Sequence, residues 1–148
     1  MKKDVVISIK SVQTVDDEKD VTELLTLGSL YKNKEDYFIT YDESEATGYE
    51  GSKTTLRVNG DRRVTLRRSG RANTNLIIER DKKHHCHYGT LYGDFIVGIC
   101  TDEISSTISD FGGDLYFKYT VDINASYMSE NEIYINVKEC KREDGTNT

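Results

Sequence analysis

Residues 81–94 read DKKHHCHYGTLYGD and hold all three histidines of the chain, His84, His85 and His87, around Cys86. Imidazole and thiolate are favoured zinc ligands, so a metal site is the first chemistry this stretch raises. Its surroundings read as a strand, where residues i and i+2 share a face, so His85 and His87 point one way while His84 and Cys86 point the other. A His-x-His pair gives only two ligands. A zinc site needs at least one more from a neighbouring strand, with partners to orient the rings, and the chain has no further histidine. His85 and His87 are therefore only a weak metal candidate, and the expectation is that neither metal nor cofactor is bound. With a two-residue turn at Tyr92-Gly93, Tyr88 faces Val97, Cys86 faces Ile99 and His84 faces Thr101 on an apolar inner face, leaving His85 and His87 in solvent. One more turn residue would exchange the faces. The first arrangement buries more apolar atoms and is the one expected.

Arg68 is more informative. In RRVTLRR it continues the face of Val64 and Leu66, which should be the buried one. An inward guanidinium cannot lose its proton and costs several kcal/mol to desolvate unless it is paired. In YFITYDE, Glu43 likewise continues the face of Ile39 and Tyr41, and Tyr88 and Tyr119 fall on apolar faces, each with a hydroxyl that wants a partner when buried. Arg68, Glu43, Tyr41, Tyr88 and Tyr119 thus form a candidate ligand-binding cluster at one end of the fold. Two readings stand side by side. Arg68 and Glu43 are an ion pair that plugs the interior, or Arg68 awaits the carboxylate or phosphate of a small amphipathic ligand, with the tyrosines lining its cavity.

Charge is unevenly spread. From Lys53 to Lys83 ten basic residues stand against three acidic ones, a local +7 that leaves −13 on the rest of a chain whose net charge is −6. Arg57, Arg63 and Arg67 lie on the face opposite Leu56, Val64 and Leu66, an outward basic stripe able to meet an acidic protein partner. Sheets that bind single-stranded nucleic acid interleave aromatics with their basic groups. Lys53–Lys83 contains no aromatic residue, which argues against nucleic acid. No phosphate-binding glycine loop, G-x-S-x-G elbow or His-Glu-x-x-His helix occurs. Asp102 and Glu103 are adjacent, so on a strand they face opposite sides. The expectation is a protein that is not an enzyme, with no catalytic residues.

These residues need strands to position them. The chain has 148 residues, about one domain, with ten tyrosines and neither proline nor tryptophan. Nearly every segment alternates with period two, giving about eight to ten strands joined by short turns. Gly28 suggests a bulge or bend, and a short helical turn is expected over Ile104–Phe111. Closure into a single antiparallel up-and-down β-barrel is preferred to an open sheet, since few edge-protecting residues are present. The barrel should occupy 1–140, with a polar tail over 141–148. Its core is expected from Val5, Ile7, Ile9, Ile39, Leu56, Val64, Leu66, Val97, Ile99, Leu115, Phe117, Val121, Ile133 and Ile135. The start does not read as a signal peptide, no stretch reaches the ~20 apolar residues of a membrane helix, and Cys86, Cys100 and Cys140 are odd in number and far apart. Together these favour a cytoplasmic setting and no membrane partner.

YFITYDE followed by LRRSG, YGTLYGDFIVGICT and GGDLYFKYTVDI resembles the pattern of the YwiB-like bacterial proteins, a family of unknown function. The resemblance runs from the first strand to about Val137 and rests on Tyr41, Glu43, Arg68, Gly70, Tyr88, Thr90, Gly93, Thr101, Gly113 and Tyr119. It departs at Leu91, where a proline would be expected before the hairpin turn. The resemblance implies a calycin-type, lipocalin-like barrel and a Gram-positive bacterial cytosolic setting; it implies no activity. Two function classes follow. One is a non-enzymatic module that binds a small anionic or amphipathic molecule inside the barrel. The other is an interaction protein, its barrel plugged, that meets an acidic partner through the outer basic face.

Overall fold

The computed structural model describes residues 2–44, 50–70, 73–90, 93–124 and 126–140. Among them run ten strands: β1 (Lys3–Val15), β2 (Glu18–Asn33), β3 (Asp36–Asp42), β4 (Lys53–Asn59), β5 (Arg63–Ser69), β6 (Thr74–Glu79), β7 (Lys83–Thr90), β8 (Gly93–Ser106), β9 (Gly112–Ile123) and β10 (Ser126–Glu139). Each pairs antiparallel with its neighbour in sequence, and β1 pairs with β10, so the sheet closes into the expected up-and-down barrel, an arrangement that fits a calycin-like fold. Among the described residues, closure leaves no full-length strand edge to template association. The proposed tail over 141–148 lies outside the described residues.

Three local expectations are corrected. Ile104–Phe111 forms no helical turn: β8 continues to Ser106 opposite Leu115, and the chain reverses at the Ser109–Gly112 bridge. Serine and threonine have little helix propensity, and β9 supplies a ladder for them. At Gly28 no bulge occurs; β2 pairs regularly with β1 and β3 through it. Its lack of a side chain serves close approach instead, since a Cβ there would sit 2.3 Å from the Thr40 carbonyl oxygen and 2.5 Å from Ile7 Cδ1. Register shifts occur between Thr101 and Glu103 in β8 and between Tyr127 and Ser129 in β10. The third correction, the register of β7 on β8, belongs with the histidines below.

Alternation decides the interior. The expected core positions all turn inward, with Val121 and Ile133 only partly buried against the rest. Phe117 and Ile7 are completely buried, each contributing about 1.5–3 kcal/mol by leaving water. The β1–β2 hairpin turns on Asp16 and Asp17, with φ of 50° and 68°. Two successive positive φ angles match the right-handed twist of the strands and explain why short acidic residues stand there.

Strand tilt sets the polar end of the barrel. One inward row of paired residues runs Val5–Gly28–Tyr41–Thr54–Arg68–Thr74–Tyr88 across seven strands. Another runs Thr101–Tyr119–Asn131–Gln13–Asp20. The rows cross β1 at Val5 and at Gln13, far apart along that strand, yet they border the same cavity. Tilted, staggered strands produce this offset. β3 pairs with β2 only from Gly28 to Asn33, so the Glu18–Leu27 half of β2 continues past that ladder, bringing Asp20 and Thr22 to the cavity.

Candidate functional site

Arg68, Glu43, Tyr41, Tyr88 and Tyr119 all line one cavity of about 280 Å³ at this end of the barrel. Arg68 Nε lies 3.5 Å from Glu43 Oε2, with the Glu43 side chain 1% exposed and that of Arg68 11%. The Thr54 hydroxyl donates to the same Glu43 oxygen, and the Glu43 backbone N–H donates to the Ser52 carbonyl at 2.9 Å. Burial, and then the negative charge of Glu43, hold the Tyr41 phenol well above its ordinary pKa. Tyr41 therefore stays protonated and donates to the carboxylate. Tyr119 stacks on Phe117, centroids 6.0 Å apart, which joins the polar end to the apolar floor.

The two readings of Arg68 are not exclusive in this geometry. The pair exists, and open space lies beside it. Ile9, Leu66, Leu76 and Ile133 give the cavity an apolar wall, while Asp20, Glu43 and Arg68 add two carboxylates and a guanidinium to its lining. Thr54 and Asn131 were not foreseen. Both lay within reach of simple alternation, Thr54 two residues before Leu56 and Asn131 two before Ile133. Asn131 Nδ2 donates to Ser129 Oγ at 3.0 Å, so two polar side chains on one inward face satisfy each other. Thr22 was hidden by a segment apolar on both faces, and Asp20 by the acidic run VDDEKD, which reads as a turn although β2 already begins at Glu18.

His85 and His87 are exposed while Cys86 is buried. The register, however, differs from the expected one by two residues: Tyr88 pairs with Phe95, Cys86 with Val97, His84 with Ile99, and Thr90 with Gly93. A shift of two preserves the faces, so the faces were foreseen while the pairing was not. Residues 91 and 92, which connect the strands, lie outside the described residues. The histidines do not converge: His84 Nε2 is 2.8 Å from Glu79 Oε1 and His87 Nε2 3.5 Å from Asp94 Oδ2. The His84 hydrogen bond is the main cause that holds Glu79 below the usual carboxylate range. Burial raises the Cys86 thiol above its ordinary pKa, making it a poor nucleophile.

Arg57 and Arg67 project outward, and Arg63, half-buried, stands opposite Glu79. Arg57 Nε donates to Asp36 Oδ2 at 2.6 Å. The neighbouring strands add what the basic segment itself lacks. Tyr31 and Phe38 stack at 4.9 Å with planes 4° apart, and the Arg57 guanidinium lies 5.5 Å from the Phe38 ring centre. Beside them a groove of about 540 Å³ is lined by Thr55, Thr65, Ser69, Asn75 and Arg67 together with Tyr31, Phe38 and Arg57.

The family model described as "Domain of unknown function (DUF1934)" matches residues 7–135. The crystal structure of the ywiB protein from Bacillus subtilis superposes with a TM-score of 0.80 at 18% identity, covering 95% of this chain and 94% of that one. At that identity the likeness speaks for the fold. No curated protein matches the chain.

Proposed function

The chain belongs to the DUF1934 family of domains of unknown function, and we propose that this barrel is a non-enzymatic binding module whose polar end accepts a small amphipathic molecule with an anionic group. The observation that carries the reading is the cavity of about 280 Å³ beside Arg68. Its volume lies at the low end for ligand sites, fitting a compact metabolite rather than a long acyl chain. Arg68 brings to this cavity a guanidinium, the group that grips a carboxylate or phosphate in two parallel bonds. The apolar body of the ligand would rest on Leu66, Leu76 and Ile133. Asp20 offers an acceptor to a hydroxyl or ammonium on the same molecule, which offsets the excess of carboxylates in the lining. Glu43 is tied to Thr54, Tyr41 and Arg68, an arrangement suited to holding a charge rather than moving a proton. A bacterial, cytoplasmic setting is part of the proposal.

Native mass spectrometry of the protein purified from its own cells tests this, paired with thermal melts in short-chain carboxylates and sugar phosphates. A bound small molecule, or a melting shift, that is lost when Ile133→Trp fills the cavity supports the reading. No adduct and no shift with any probe would overturn it. A second reading, an interaction protein that meets an acidic partner through its outer basic face, is favoured by the groove beside Arg67, whose lining contains no carboxylate.

A further inference from the structure

We propose that the groove on the outer face of β3–β6 is a docking site for an extended acidic peptide segment of a protein partner, with Arg67 as its anchor and Arg57 as its second contact. The inference rests on the reading of the basic face as an interaction surface and goes further by naming the site and the chemistry of its occupant.

Register places the parts. Tyr31, Phe38, Arg57 and Thr65 form one outward row across β2–β5, and Thr40, Thr55, Arg67, Asn75 and His87 form the next row across β3–β7. Arg57 and Arg67 therefore stand diagonally on adjacent strands, within reach of a single carboxylate-bearing chain. Around them the short side chains of Thr55, Thr65, Ser69 and Asn75 leave a groove rich in hydrogen-bond donors.

Charge selects the occupant. The Lys53–Lys83 segment sums to +7 within a chain of net −6, and the groove lies on that segment. Arg57 is oriented by Asp36, whose side chain is 8% exposed, so its guanidinium is preorganised. Arg67 is exposed and makes no ion pair among the described residues. An anionic partner would add a counter-charge that the groove itself does not contain.

The ring geometry separates peptide from nucleic acid. Base stacking needs an open aromatic face. Phe38 stands between Tyr31, stacked on it, and the Arg57 guanidinium, so the Phe38 ring offers its edge, not an open face, to the groove. Ring edges carry partial positive charge, which suits carboxylate oxygens and aliphatic side chains better than bases.

The test is fluorescence anisotropy at low salt with a fluorescein-labelled peptide of alternating glutamate and valine, about eight residues long, enough to cross the groove. Arg67→Gln should weaken binding about tenfold, and Ser69→Asp, which places a carboxylate in the groove, should weaken it at least as much. Arg63→Gln removes the same charge outside the groove and should change affinity by less than about twofold. Arg67 and Ser69 are exposed, so both variants should melt with the parent protein. If Arg63→Gln weakens binding as much as Arg67→Gln, the groove is refuted while the basic-face reading stands. If the peptide does not bind, both fall. Tighter binding of a single-stranded oligouridylate, lost in Arg67→Gln, would refute the peptide in favour of nucleic acid.

Discussion

Arg68→Met removes the guanidinium while keeping most of the apolar stem, which leaves Glu43 buried without its counter-charge. At 3.5 Å and an effective dielectric of about 20, the lost attraction is about 5 kcal/mol before desolvation is set against it. Buried pairs broken from one side cost about 3–5 kcal/mol. The lower end applies here, because the Thr54 and Tyr41 hydroxyls still reach the carboxylate and the cavity beside it can admit water. A loss of about 3 kcal/mol would lower a urea midpoint by roughly 2 M for a domain of this size. Glu43→Gln combined with Arg68→Met keeps an oxygen for both hydroxyls and leaves no unpaired charge, so the double variant should recover much of the stability. Urea melts of the parent, both single variants and the double variant give the coupling, expected to be at least about 2 kcal/mol. Additive effects, or a neutral Arg68→Met, would show that Arg68 and Glu43 are neighbours without being energetic partners, and the argument from burial would fail.

Tyr41 sets an alkaline limit on stability. Its folded pKa is raised, so its contribution is complete below the ordinary tyrosine value of about 10 and is lost as pH rises beyond it. Tyr116 is raised in the same direction, so Tyr41→Phe should flatten part of the alkaline fall in urea midpoints; an unaltered slope counts against the assignment. His85→Ala with His87→Ala should shift Tm by no more than about 2 °C, since both residues are exposed, and elemental analysis should find less than stoichiometric zinc. A tightly held equivalent of zinc, lost in the double variant, would refute the surface placement. Gly28→Ala would set its methyl 2.3 Å from the Thr40 carbonyl and should cost about 1–3 kcal/mol in denaturant melts; a neutral result would mean that β2 and β3 yield more easily than the paired register implies.

Period-two alternation carried most of what was legible in the sequence. It placed Arg68 with Val64 and Leu66, Glu43 with Ile39 and Tyr41, and His85 and His87 outside, because a strand face is fixed by parity alone. Parity cannot say which residues of separate strands meet. The β7–β8 pairing slipped by two residues without any change of face, which no apolar pattern could have revealed. The aromatic neighbours of the basic stripe were missed for a related reason. A scan from Lys53 to Lys83 finds none, yet Phe38 is paired directly with Arg57, and Tyr31 with Phe38, from strands earlier in the chain. Asp20 and Thr22 reach the cavity through strand tilt, a property of the closed barrel rather than of their own segment.

Strand number explains why a plug and a cavity coexist. Side chains just fill an eight-stranded barrel, and ten strands enclose more. Towards one end this chain fills the width with bulk, through Phe117, Ile7, Ile39 and Leu115, all fully buried. At the other end it spans the width with length. The Arg68 and Glu43 side chains reach towards each other from β5 and from the residue after β3, held by hydroxyls from Tyr41 and Thr54. Two long, thin side chains satisfy each other's charge without filling the space around them, so the volume beside them remains. Apolar residues of equal reach would collapse into that space to escape water. The ion pair thus spans the end of the barrel without closing it, which is the condition that the proposed binding of a small molecule there requires.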